Sequence, residues 1–236
     1  MTTSPDRGAL SGITSAASFL TGIIGATIWS RVPYPRPGSS PDGIREFFRA
    51  DPRPARLSVT GQLVSAITLG RFTASAACLA RRAEPTGQGL QVAALAGGAT
   101  ATASLVASAA YTALLTTDRA DDDFRALSMH RRAFLVGGVT HGVGYGLLVG
   151  AVGLAGRRTR LLSPALTDVA LASAAAGLLT PLYLITEPAA WLIPIGRFSG
   201  FLVIGQAAAR LGHRSLPARS TGRELATRSR VRERKP

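Results

Sequence analysis

Several residue types are nearly missing from this chain of 236 residues. Asparagine is absent, which excludes every Asn-X-Ser/Thr glycosylation site. A single cysteine, Cys78, excludes an intramolecular disulfide and any metal site built from several thiolates. It reads as a small apolar packing residue. Of 27 Lys+Arg residues only Lys235 is lysine, a bias that points to a GC-rich bacterial genome rather than to fold physics. Charge is scarce at 17%, where soluble domains carry about 25%.

What remains is apolar and lopsided. Hydrophobic residues make up 46% and the formal net charge is +14. A mean hydropathy of +0.22 argues against a disordered polycation. A nucleic-acid module would interleave its arginines with the fold. Here the charges gather in blocks between long apolar runs, so a lipid bilayer is the expected partner and nucleic acid is not.

A helix crosses the hydrocarbon with about 20 mostly apolar residues. Spans are expected near residues 8–30, 57–80, 90–115, 133–156, 162–185 and 189–209. The fold class is therefore all-α, a membrane bundle of six helices over residues 1–209, followed by a basic, disordered tail at 210–236. A cleaved signal peptide fits the first span poorly, because its n-region holds only Arg7 and its apolar run is long.

Six spans put both ends of the chain on one side. That side holds 15 basic residues against 10 on the other, and the acidic residues favour the opposite side. The positive-inside rule then makes both termini cytoplasmic in a multi-pass cell-membrane protein. Trp29, Tyr34, Tyr111, Tyr183 and Trp191 all fall near the non-cytoplasmic ends, where amphipathic rings meet the interface. The basic tail should attract anionic lipids.

The first outer loop carries a helix-start pattern at Ser40-Pro41, then Ile44, Phe47 and Phe48 at i, i+3 and i+4. A short amphipathic helix on the outer surface is expected, with a lid as the sharper alternative. Asp118, Asp121, Asp122 and Asp123 read as charge placed at a helix start rather than as a cation site.

Helices in lipid associate through small residues. Gly138, Gly142, Gly146 and Gly150 repeat every four residues and predict a packing face, with Ala94, Gly98 and Thr102 as a complementary surface.

Ionisable groups inside a bilayer are costly and mark candidate sites. Arg71 and Arg197 lie near the midplane, about 12–14 Å deep by helical rise. Each needs a partner, since arginine stays charged. Asp168 is placed to reach toward Arg71 and Glu187 toward Arg197, while His141 sits at mid-depth as a hydrogen-bonding or proton-carrying neighbour. A carbonyl freed by Pro194 is another acceptor for Arg197. These groups read first as structural pairs that fix helix register, then as a substrate or proton path, then as an anion pocket.

No H-E-x-x-H, G-x-S-x-G, C-x-x-C or P-loop occurs, so no catalytic residue, metal or cofactor is assigned. His130 and His141 stand too far apart on one helix to share a metal.

The span layout, the segment Ile44 to Arg49, and Thr186-Glu187-Pro188 followed by Trp191 to Phe198 resemble small six-span bacterial membrane protein families of unknown function. That resemblance implies no activity. The residues favour a non-enzymatic membrane subunit or scaffold, with a protein partner in the membrane left open. The alternative is a small transporter or channel-like protein using Arg71, His141 and Arg197. Those three side chains must meet in one cavity for the alternative to hold.

Overall fold

A computed structural model describes residues 7–213 of the chain. The described residues form helices and no strand. They are α1 (Arg7–Trp29), α2 (Pro41–Ala50), α3 (Pro52–Ala83), α4 (Gly89–Leu114), α5 (Asp123–Phe134), α6 (His141–Arg158), α7 (Pro164–Leu178) and α8 (Leu192–His213). A π-helical segment, Leu135–Thr140, joins α5 to α6 in one continuous span. Two 3-10 turns, Thr180–Leu184 and Glu187–Trp191, join α7 to α8. Six of these stretches are long and apolar enough to cross a membrane, as expected. Most of the basic tail lies outside the described residues.

Two spans begin earlier than their apolar runs. Asp51 caps α3 by accepting from the Arg53 N–H at 3.0 Å, with Pro52 in the first turn. Asp122 caps α5 by accepting from the Arg125 N–H at 2.8 Å. Capping side chains satisfy otherwise orphaned N–H groups, so the helix starts at the cap and not at the first apolar residue. The connection between α4 and α5 is therefore confined to residues 115–122.

The six membrane helices close a ring in the order α1, α3, α4, α6, α7, α8 and back to α1, with α6 also touching α3 and α8. Helix ends form two faces, one carrying α2 and the other the starts of α1 and α7 and the end of α8. Phe72, Leu69, Leu105, Leu148, Val149, Val152, Val203 and Ile204 fill the core of the bundle.

Glycine sets the helix spacing. A Cβ on Gly61 would lie 2.7 Å from the Gly22 Cα, so α1 and α3 touch backbone to backbone. A Cβ on Gly97 would meet the Gly144 carbonyl at 2.6 Å, and one on Gly177 the Gly142 carbonyl at 2.5 Å. The glycine row at every fourth residue, begun in the π segment and continued in α6, faces α7, the turn after it and α8 rather than α4. Gly142 meets Thr180, Gly146 and Gly150 meet Ala174, and Gly138 meets Ile193. Gly98 turns to Thr73 of α3, and α4 reaches α6 through Gly97. Small residues occur on every helix, so spacing along one sequence does not specify which neighbour fills the groove.

Helix α2 forms where expected, with Ser40 Oγ accepting from the Gly43 N–H at 3.2 Å. Its apolar face does not rest on lipid. Ile44, Phe47 and Phe48 are buried against Ala55, Leu115, Ala120 and Ala126, so α2 roofs one end of the bundle. Arg45 bonds Asp123 at 2.5 Å and Asp42 at 2.6 Å, while Arg49 bonds Asp121 at 2.6 Å. The aspartates expected to serve a helix start thus also tie down the roof.

At the other face Glu84 clasps the turn between α3 and α4. Its carboxylate accepts from the Leu90 N–H at 3.0 Å and from Arg158 at 3.1 Å. These bonds, the backbone one first, hold the carboxyl below its ordinary range. A depressed carboxyl stabilises fully at neutral pH and loses that contribution as the pH falls through its lowered value. Hydrogen exchange over residues 84–90, corrected for intrinsic chemistry, should rise on acidification in the wild type and be pH-insensitive in Glu84→Gln. In a second test, Gly177→Val should force α6 and α7 apart at a cost of about 1–3 kcal/mol, the usual range for overpacking. Thermal unfolding in detergent should show a lower midpoint, whereas Gly205→Ala, in open space within α8, should not lower it.

Candidate functional site

Arg197 stands on the second turn of α8 with its guanidinium turned into the ring. The Nη2–H donates to the Gly137 carbonyl, in the middle of the π segment. The guanidinium carbon lies 4.6 Å from the centre of the Phe19 ring, a cation–π contact. Its Nε is buried without a hydrogen-bond partner, and among the described residues no carboxylate pairs with it. A π turn is uncommon and concentrates at functional sites. Here its neighbourhood is pinned by side chains from three directions. Ser108 donates to the Ala133 carbonyl at 3.1 Å, Thr180 to the Val139 carbonyl at 3.0 Å, and Arg197 to Gly137.

Above Arg197, toward the roof, is a cavity of about 180 Å³. Phe48, Tyr34 and Pro35 line it toward the α2 face, where it is partly open, and Arg197 and Phe19 are also among its walls. Its polar walls are largely engaged among themselves. Gln62 donates to Ser58 at 3.3 Å, Thr112 to the Ser108 carbonyl at 2.8 Å, and Ser108 to Ala133. The remaining walls are apolar, including Ile23, Leu115, Ile193 and Phe134. The Nε–H of Arg197, beside this cavity, is buried without an acceptor.

Aromatic rings close the way past Arg197. Phe201 packs on Phe19 at 5.7 Å and on Tyr145 at 5.8 Å, and Tyr145 stacks on His141 at 5.4 Å. The His141 ring bonds the Ala101 carbonyl at 3.1 Å through Nδ1. The Tyr145 hydroxyl is buried and unpartnered. Both residues interact electrostatically with Arg197, so the cation, the imidazole and the phenol share one neighbourhood.

The other sequence-derived positions lie elsewhere. Arg71 is exposed on the perimeter of α3, and Asp168 is exposed one turn into α7. Glu187 is exposed at the α2 face, where it lines a separate open groove. Neither the Arg71–Asp168 nor the Arg197–Glu187 pair forms, because the members face away from each other around the bundle. The carbonyl that receives Arg197 belongs to Gly137 across the ring and not to the turn before Pro194. Arg71, His141 and Arg197 therefore do not share a cavity. Only the last two are close.

Sequence reasoning missed Phe19, Gly137, Tyr145 and Gln62. A glutamine within an apolar span was a usable signal. A backbone carbonyl as the counter-dipole carries none. Among the described residues no group of three or more His, Cys, Asp or Glu side chains is placed to hold a metal ion. Comparison with family models, with curated proteins and with solved structures finds no match.

Proposed function

We propose that this chain is a non-enzymatic, carrier-like membrane protein that holds a small anionic solute at Arg197. Both termini and the basic tail then face the cytoplasm, and the α2 roof faces outward. The observation that supports it is the uncompensated guanidinium. A cation buried in apolar surroundings is costly unless paired. One carbonyl and one ring neutralise no charge, so the site attracts an anion into the adjoining cavity. The aromatic closure beyond Arg197 supports a binding pocket that ends at the arginine rather than an open pore.

The test is an anion panel on purified full-length protein, with chloride, acetate and benzoate as sodium salts at matched ionic strength. At least one anion should raise the unfolding midpoint of the wild type. Arg197→Gln should weaken that response by about tenfold or more, as expected when a buried charged partner is removed. Arg197→Lys, which keeps the charge but not the planar fork, should respond weakly. The reading fails if no anion stabilises the wild type, or if Arg197→Gln responds equally.

A second reading, a subunit of a larger membrane complex, rests on Arg71. This arginine is exposed on the bundle perimeter, about 14 Å from the end of the apolar stretch by helical rise. A charge facing lipid at that depth is stabilised by a partner. If that partner is a protein, Arg71→Leu should release the chain from a larger assembly on native gels of mildly solubilised membranes. Unchanged migration of a complex, or a wild-type chain that migrates alone, removes this reading.

A further inference from the structure

Two volumes meet in this molecule, and the walls they share suggest how a ligand reaches Arg197. On the α2 face an open groove of about 650 Å³ lies between α5 and the turns that join α7 to α8. Phe124, Leu127, Leu184 and Ile185 give it an apolar lining. The interior cavity above Arg197 has two lining residues in common with it, His130 and Phe134. His130 is held by a hydrogen bond to the Pro35 backbone. The Phe134 ring packs edge-on to Tyr183 at 5.0 Å.

We propose that groove and cavity are two chambers of one binding path for a small organic monocarboxylate, with the Phe134 ring as the gate between them. This rests on the reading of Arg197 as an anion site and adds the ligand class and the way in.

The class follows from size and lining. An apolar cavity of about 150 Å³ takes up benzene. The interior cavity, at about 180 Å³, suits one ring or a short chain and leaves no room for a hydration shell. A bare inorganic anion would exchange its shell for one guanidinium and apolar walls. A carboxylate on an apolar body instead sets its two oxygens toward the guanidinium, whose planar fork matches them, and buries its body among Ile23, Leu115 and Ile193.

The gate follows from position. Phe134 is the last residue of α5, directly before the π segment. Its ring lies beside Gly138, which has no side chain to hold it. A π turn carries an extra residue, and moving that turn along a helix rotates the adjoining residues by about 100°. The ring can leave the shared wall by such a rotation or by a change of its own rotamer.

The test measures tritiated benzoate and tritiated acetate binding to the full chain in phosphatidylcholine nanodiscs, at equilibrium and by rapid mixing. Benzoate should bind at least about tenfold tighter than acetate, since its larger body buries more apolar surface. Phe134→Ala should speed benzoate association by about tenfold, a change that loss of wall contact alone would not produce, and should speed dissociation as well. Phe134→Trp should slow both. Phe134→Leu replaces either variant that fails to give a monodisperse, helical protein, and it should also speed exchange. Loss of benzoate binding in Arg197→Gln, with wild-type kinetics in the Phe134 variants, would overturn the gate while leaving the anion site intact. Acetate binding as tight as benzoate would overturn the ligand class. Wild-type binding of both probes in Arg197→Gln would overturn the anion site itself.

Discussion

In lipid, two helices gain by touching only when their backbones come close, because the surrounding chains are as apolar as the side chains. The ring described above meets this condition through glycine pairs. Gly22 meets Gly61, Gly97 meets Gly144, and Gly177 serves both Gly142 and Gly146 while a Cβ on Gly196 would reach its amide at 3.0 Å. Each pair fixes a separation that no side chain could fill. A core of large side chains runs through the bundle, and the cavity toward the α2 face lies where the helices carry Ser58, Ser108 and Thr112 in place of large apolar groups.

That spacing also accounts for the placement of charge. Arg197 reaches across the ring to Gly137 because glycine leaves the carbonyl unshielded in a π turn. Ser108 and Thr180 hold neighbouring carbonyls of the same stretch, so its backbone is engaged while the Arg197 Nε is not. The polar chemistry of the interior is therefore asymmetric, with backbone satisfied and one cation unmatched. The roof complements this arrangement from outside, with Phe48 lining the cavity while Arg45 and Arg49 hold α2 to the start of α5 through aspartates.

Much of the architecture was legible in the sequence. Charge-free runs marked the spans, and Ser40-Pro41 with Ile44, Phe47 and Phe48 marked α2 and its buried face. What α2 buries against was not legible, since an amphipathic helix has the same pattern on lipid as on protein. The neighbours of the α6 glycines were hidden for a related reason: helices apolar all round have no polar face to orient them. Arg71 and Arg197 sit in the same Gly-Arg-Phe context, yet one is exposed on the perimeter and the other is half-buried and turned into the ring. Their environments depend on which side of each helix meets its neighbours. The acceptor of Arg197 was a main-chain oxygen, which every residue possesses and no residue type announces.

Asp51 is the single residue between α2 and α3, ending one helix in an extended conformation and capping the next. The roof is consequently no separate flap. It is the short arm of a crank whose long arm is α3, with its pivot at one backbone position. The same rigid helix that carries α2 at one end lies backbone to backbone against α1 at Gly61, so the roof is joined to one of the close contacts of the ring.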